Sequence, residues 1–436
     1  MKKLIALIFA LTALLCITAN AETVGGDCGY YGGPNIQWSY DSETKALSFT
    51  GEGIMADYYA NTYTPWYKLK VETITVGEGI TTLGINTFHF MRGVTSVHLP
   101  DTLTLVKGEH TFNGFYDMKE LNIPAGLTSL DFLFSNLNPR MSPISPVITV
   151  DPANRAYCSE NGLLYDKNKT VLYYLPPSVS VENIVLPDSL KVISDYAFYD
   201  RSDLKSIDLP EGLISIGTSA FEGCENLTEI NLPVGLTELG DSAFEDCSSI
   251  TAADIPSGVT AISFGLFQGC TSLETVTLPD GITSVGMSAF EGCSKLRSVH
   301  IPDSALTVGG SSFRGCSSLE SVHLPSGLTY LNDSMFDGCT ALKSVELPKG
   351  ITKIGNTVFN NCRSLEAIVI PEGVTDMLYG GFMGCSNLKS VYLPESLVNM
   401  MGGQIFEDCP NLTIYAAPGS RGELYAEECN IPFIAI

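Results

Sequence analysis

Apolar residues return at a fixed interval of 23 residues along most of this chain, separated by polar positions. In one unit they are Leu204, Ile207, Leu209, Leu213 and Ile216. The alternation of Ile207 and Leu209 predicts a short β-strand, and the later pair faces the same core from a return segment. A proline closes each strand, at Pro187, Pro210, Pro233, Pro256, Pro279, Pro302, Pro325, Pro348, Pro371 and Pro394. A fixed period of this length predicts a solenoid whose stacked units share one core.

Two further positions carry the same residue type in almost every unit. One predicts an internal stack of aromatic rings and consists of Phe221, Phe244, Phe267, Phe290, Phe313, Phe336, Phe359 and Phe382. The other, three residues later, consists of Cys224, Cys247, Cys270, Cys293, Cys316, Cys339, Cys362 and Cys385. Phe406 and Cys409 continue both columns, and the residue before each cysteine is always Gly, Asn or Asp, which predicts a left-handed backbone there.

The geometry of stacked coils argues against disulfides within the cysteine column. Neighbouring coils lie about 4.8 Å apart with parallel side chains, whereas a disulfide needs converging Cβ atoms about 3.8 Å apart. We therefore predict buried thiols that act as small apolar side chains. The sequence leaves open whether Cys409 pairs with Cys429, or Cys28 with Cys158.

The pattern Leu-x-x-Val-x-Leu-Pro-x-Gly-Ile-Thr-x-Ile-Gly-x-x-x-Phe-x-x-Cys, read from residues 342–362, resembles the BspA-type leucine-rich repeat family. The resemblance extends over about residues 70–415. It implies a mainly β fold, a right-handed leucine-rich repeat solenoid of 23-residue coils, here with an N-terminal β cap and a C-terminal cap. It also implies an exported, often surface-displayed protein of a bacterium in adhesive or recognition roles, and it identifies no ligand.

The chain begins with the features of a secretory signal peptide. Lys2 and Lys3 precede an apolar run, and Ala19 and Ala21 fit the small-residue cleavage rule, so we predict a leader at 1–21. We expect the remaining chain to be exported, either extracellular or at the cell surface, with the periplasm as an alternative. Whether and how it is anchored is left open.

The period and its interruptions divide the rest of the chain. We predict an N-terminal β cap at 22–69 with Trp38 and Trp66 in its core, and degenerate units at 70–135. An irregular segment with a hairpin insertion follows at 136–186, with strands predicted at 162–165 and 171–174. The regular array occupies 187–415, and a C-terminal cap with a helix occupies 416–436.

Composition and motifs argue against several functions. The formal net charge of −24 disfavours nucleic acid and anionic membranes as partners. None of the five histidines lies in a nucleophile or metalloprotease motif. We therefore expect no enzyme and no cofactor, and the many carboxylates leave open a pair at glycosidase spacing.

Two outward-facing columns carry the candidate functional chemistry. The first is a candidate binding face on the strand, formed by His300, His323, Glu346, Val369 and Tyr392. Its alternatives are an ordinary solvated strand face and a metal site at the two histidines. The second column alternates in charge, and we predict a structural ion-pair ladder through Glu274, Arg297, Glu320, Lys343, Glu366 and Lys389.

These features favour a non-enzymatic exported recognition or adhesion protein whose repeat surface binds a host or matrix protein or a glycan. One alternative is a structural or scaffolding component of the bacterial envelope. Another is a carbohydrate- or peptide-active protein, for which the regular repeats predict no deep pocket.

Overall fold

The computed structural model describes residues 23–30, 33–59, 63–108, 111–112, 114–130, 146–181, 184–400, 402 and 404–436. The predicted signal peptide and part of the irregular segment lie outside this range. The chain divides into two compact units, one up to Lys167 and one from Asn168 onward. Both consist of turns of about 23 residues, so the predicted β-solenoid is confirmed.

The first unit begins with an antiparallel meander, to which parallel strands are added one turn at a time. The strands are β1 (Thr23–Asp27), β2 (Ile36–Asp41), β3 (Ala46–Gly51), β4 (Gly53–Ile54), β5 (Thr73–Val76), β6 (Ile80–Leu83), β7 (Ser96–His98), β8 (Leu105–Val106), β9 (Glu120–Ile123), β10 (Val147–Val150), β11 (Tyr157–Glu160) and β12 (Leu163–Asp166). The first sheet has the order β1-β2-β3-β5-β7-β9-β10, and β4-β6-β8 form a second sheet. A hairpin that the sequence did not predict, β11–β12, turns at Asn161 and Gly162, both with positive φ.

Aromatic side chains in edge-to-face contact form the core of this first unit. Trp66 is fully buried and meets Trp38 at 5.7 Å and Phe49 at 4.9 Å between ring centroids. The indole nitrogen of Trp66 donates a hydrogen bond to the carbonyl oxygen of Thr87, 2.9 Å away. Both tryptophans are therefore core residues of the first unit.

In the second unit, many coils contribute a strand before the proline and a two-residue strand after it. The parallel pairs of the regular array keep a register of 23 residues, as in the pairing of His300 with His323. The strands are β13 (Val171–Tyr174), β14 (Val192–Ile193), β15 (Ser215–Ile216), β16 (Glu238–Leu239), β17 (Ala252–Asp254), β18 (Ala261–Ile262), β19 (Thr275–Thr277), β20 (Ser284–Val285), β21 (Ser298–His300), β22 (Thr307–Val308), β23 (Ser321–His323), β24 (Tyr330–Leu331), β25 (Lys353–Ile354), β26 (Ala367–Val369), β27 (Asp376–Met377), β28 (Ser390–Tyr392), β29 (Asn399–Met400), β30 (Thr413–Ala416) and β31 (Phe433–Ala435).

The third side of each regular coil is a turn-rich segment that carries the phenylalanine and the cysteine. Backbone bonds also join successive coils here, for example from Phe267 N–H to the carbonyl of Ala289 at 2.8 Å. The phenylalanine rings from Phe198 to Phe406 stack with centroid spacings of 4.9–5.9 Å and interplanar angles of 5–21°. The predicted positive φ before each cysteine is confirmed, and Asp246, Asn361 and Asp408 share it with the glycines.

The second unit ends in a short helix, α1 (Arg421–Glu428), and the strand β31. The Ser420 side chain caps the helix by accepting from the backbone N–H of Glu423. Tyr425 closes the phenylalanine stack, because its ring meets Phe406 edge-on at 5.9 Å and its hydroxyl accepts from Ile405 N–H. No helix among the described residues is long and apolar enough to cross a membrane.

Candidate functional site

The strands before the prolines place one outward-facing residue of each coil in a single column, here called the strand-face column. Its members in the second unit include all five residues of the candidate binding face, His300, His323, Glu346, Val369 and Tyr392. All five are exposed. The ladder is not continuous, since β21 pairs with β23, β26 pairs with β28, and residues 344–346 between them form no strand.

The two histidines lie side by side in the strand-face column. His300 and His323 pair in register, and their rings stack with centroids 4.5 Å apart at 13°. The nearby carboxyl of Asp303 has a lowered pKa, chiefly because it accepts a hydrogen bond from Ser326 N–H, with a smaller contribution from the histidines. Among the described residues there is no group of three or more potential metal ligands.

Beyond the histidines the column becomes apolar, and it continues past the residues predicted from sequence. Val369 pairs with Tyr392, Tyr392 with Tyr415, and Tyr415 with Ile434 on the four-stranded sheet β26-β28-β30-β31. The tyrosine rings stack with centroids 4.7 Å apart at 20°. Val369 is 63% exposed, Tyr392 37% and Ile434 47%. We call these four residues the apolar strip.

An open groove of about 730 Å³ lies at one end of the apolar strip. Val369 lines it together with Glu346, which precedes it in the column. Its apolar floor includes Leu347 and Ile368. The groove therefore lies between the polar and apolar halves of the column, where residues 344–346 form no strand.

The alternating-charge column forms ion pairs at two steps. Lys343 Nζ lies 2.7 Å from Glu320 Oε2, and Lys389 Nζ lies 3.0 Å from Glu366 Oε2. The hydrogen bond from Lys343, and then its charge, lowers the pKa of the Glu320 carboxyl. Each pair joins neighbouring coils across the surface.

The buried cysteines have a hydrogen-bonding role that the sequence did not indicate. Each thiol donates to the carbonyl oxygen of a phenylalanine in the preceding coil, as from Cys293 Sγ to Phe267 O at 3.2 Å. The same contact, 3.0–3.2 Å long, recurs for Cys224, Cys247, Cys270, Cys316, Cys339, Cys362 and Cys385. All eight are free thiols. Burial raises the pKa of Cys293 well above its usual range, so this thiol stays protonated and able to donate.

Comparison with known proteins gives a family and a fold. Residues 62–141, 173–297 and 283–413 match the family described as BspA type leucine-rich repeat region. Proteins of this family are typically exposed at bacterial surfaces. No curated protein matches the sequence significantly.

Several solved structures are similar to this chain. A leucine-rich repeat protein from Eubacterium ventriosum is 24% identical, over 78% of this chain and 95% of its own, with a TM-score of 0.54. Another from Bacteroides ovatus is 22% identical, over 92% and 98%, with a TM-score of 0.48. A leucine-rich cell surface protein from Faecalibacterium prausnitzii is 20% identical, over 90% and 96%, with a TM-score of 0.31. The likeness to the first supports the leucine-rich repeat fold.

Proposed function

We propose a function from one premise, that the chain belongs to the BspA-type leucine-rich repeat family. We infer that it is an exported, non-enzymatic recognition or adhesion protein that binds an extracellular protein or glycan. Its binding surface is the strand-face column with His300, His323, Glu346, Val369 and Tyr392.

The observation that carries this proposal is the exposure of large apolar side chains on one edge of the repeat. Val369 is 63% exposed, and the Tyr392 ring stacks on Tyr415 on the same sheet. Contiguous exposed apolar residues beside polar ones are typical of interaction sites. Leucine-rich repeat folds commonly bind protein partners. The leader-like segment at 1–21 supports export.

The second candidate is a structural or scaffolding role in the bacterial envelope. It is favoured by the many contacts that repeat from coil to coil. These include the stacking of the phenylalanine rings and the hydrogen bonds that the thiols donate. A repeat held together in this way could act as a spacer without a specific soluble ligand.

Binding of residues 22–436 to extracellular-matrix proteins, mucins and glycans at physiological salt tests the proposal. We expect saturable binding that weakens about tenfold or more when Val369→Glu and Tyr392→Glu are combined, because buried anchors dominate interface energy. The matched control combines Val234→Glu and Tyr379→Glu, since these side chains are 81% and 46% exposed elsewhere in the same unit.

Each outcome separates the two candidates. Equal binding by both double variants would move the site away from the strand-face column while keeping a recognition role. No saturable binding to any member of the panel would overturn the recognition proposal in favour of the structural one.

A further inference from the structure

The strand-face column changes chemistry at one place along the second unit. The earlier coils carry Asp208, Asn231, Asp254, Thr277, His300, His323 and Glu346, and the strands β26, β28, β30 and β31 carry the apolar strip. The strip is also flanked by short side chains, since Ala367, Ser390 and Thr413 share one register position beside it. A continuous exposed apolar surface of this kind fits a macromolecular partner better than the polar coils do.

The orientation of the tyrosine rings narrows the class of partner. Tyr392 and Tyr415 stack face to face along the column at 4.7 Å, so their ring edges point away from the sheet. A sugar ring packs against the face of an aromatic ring, and these faces are turned toward neighbouring coils. Exposed ring edges carry the positive end of the aromatic quadrupole, which suits peptide carbonyl groups and aliphatic side chains. The geometry therefore favours a protein over a glycan.

The charges beside the apolar strip indicate the charge that a protein partner should carry. Glu346 and Glu372 line the groove together with Lys349, and Glu395 occupies the position of Glu372 in the next coil. The basic side chain on the other flank, Lys389, is already engaged by Glu366. The groove thus presents an acidic excess on a chain whose net charge is −24. Such a surface attracts basic segments and repels nucleic acid and anionic lipid.

We propose that the apolar strip and its groove bind a protein segment that combines apolar side chains with flanking lysines or arginines. Its apolar side chains lie over Val369, Tyr392, Tyr415 and Ile434. Its basic side chains lie near Glu346 and Glu372. This assignment rests on the proposed recognition function and names the partner chemistry for that surface.

Labelled residues 22–436 are tested on an array of short synthetic peptides that vary independently in net charge and apolar content. We expect the strongest binding to basic, apolar peptides, and weaker binding as salt rises, because exposed charges are screened beyond about 10 Å at 0.1 M. Tyr415→Glu should weaken this binding about tenfold or more. Combining Glu346→Lys and Glu372→Lys should shift the preference toward acidic peptides. Tyr379→Glu is the matched control and should bind like the parent chain.

The outcomes separate this inference from the proposed function. Binding to the matrix, mucin or glycan panel without preference for basic apolar peptides would overturn the inference and leave the recognition function intact. Preference for oligosaccharides over peptides, or an equal effect of Tyr415→Glu and Tyr379→Glu, would also overturn it. A chain that binds neither panel nor peptides would overturn both.

Discussion

Buried backbone groups obtain their hydrogen bonds in one way in the repeated positions of this protein and in another way where the repeat is broken. In the regular array the same hydrogen bond recurs from coil to coil, as the bond from the thiol of Cys293 to Phe267 O does. Where the repeat lapses, a single buried polar side chain holds several backbone groups. In the first unit this residue is Asn154. In the first coil of the regular array it is Arg201, which stands where the later coils carry a cysteine.

The difference shows how stability is distributed. A coil in the array shares its interactions with two similar neighbours, so each contact is one of many equivalents. The carboxamide of Asn154 instead makes four hydrogen bonds, donating to Pro124 O and Leu127 O and accepting from the N–H groups of Ala156 and Tyr157. Loss of such a residue removes several hydrogen bonds at once, and no equivalent side chain in a neighbouring coil replaces them.

The largest expected effect comes from Asn154→Ala. We expect the free energy of unfolding of the first unit to fall by about 4 kcal/mol, because four hydrogen bonds to backbone groups are lost and, of these groups, Pro124 O retains Leu127 N–H. Denaturant titration and hydrogen exchange of the amides of Ala156 and Tyr157 measure it. The control Asn122→Ala removes an exposed carboxamide and should change stability little. Equal effects of the two variants would contradict the comparison.

Arg201→Met should have the next largest effect. The guanidinium is 3% exposed and donates to Pro176 O at 3.3 Å, to Val179 O, and to both carboxylate oxygens of Asp203. Methionine fills similar space without donors, so we expect a loss of about 3 kcal/mol. Denaturant titration measures the change. Arg363→Met, at an exposed arginine, is the control, and a similar loss there would refute a specific role for Arg201.

The contact between Arg201 and Asp203 predicts that the stability of the protein depends on pH. The hydrogen bond from Arg201 lowers the pKa of the Asp203 carboxyl in the folded protein. As pH falls, the unfolded chain therefore binds this proton first, so the contribution is present near neutral pH and is lost below about pH 4. In Asp203→Asn this part of the acid dependence should disappear. An unchanged acid profile in that variant would show that the pair does not contribute.

Features that every unit repeats could be predicted from the sequence, whereas residues that act only once could not. The phenylalanine stack and the left-handed turns before the cysteines were predictable because each unit repeats the constraint. The thiol donors were missed because a buried cysteine reads as an apolar residue. Asn154 and Arg201 were missed because each occurs once and touches backbone distant in sequence. Ile434 was missed because the helix α1 interrupts the period before it.

A serine in a strained backbone conformation lies inside the regular array. Its replacement is expected to raise stability, whereas the preceding substitutions lower it. Ser219 has φ +52°, and its buried hydroxyl has no hydrogen-bond partner among the described residues. A left-handed backbone is unfavourable for a residue with a Cβ atom, so Ser219→Gly should stabilise the second unit by about 1 kcal/mol. Thermal melting measures the change. Ser202→Gly, at an exposed serine outside the positive-φ set, should be neutral or destabilising, and stabilisation by both would point to another cause.

The smallest effect is expected for the ion-pair ladder, which lies on the surface of the same array. Lys343→Glu removes the 2.7 Å contact with Glu320 and places three carboxylates in successive coils with Glu366. The melting temperature should fall at low salt, and the difference should shrink near 1 M salt, where screening acts within about 3 Å. Lys295→Glu makes the same charge change between Ser272 and Ser318, which are uncharged. If Lys343→Glu melts no lower than Lys295→Glu at low salt, the charge column does not stabilise coil stacking, and repetition of the core alone holds the coils together.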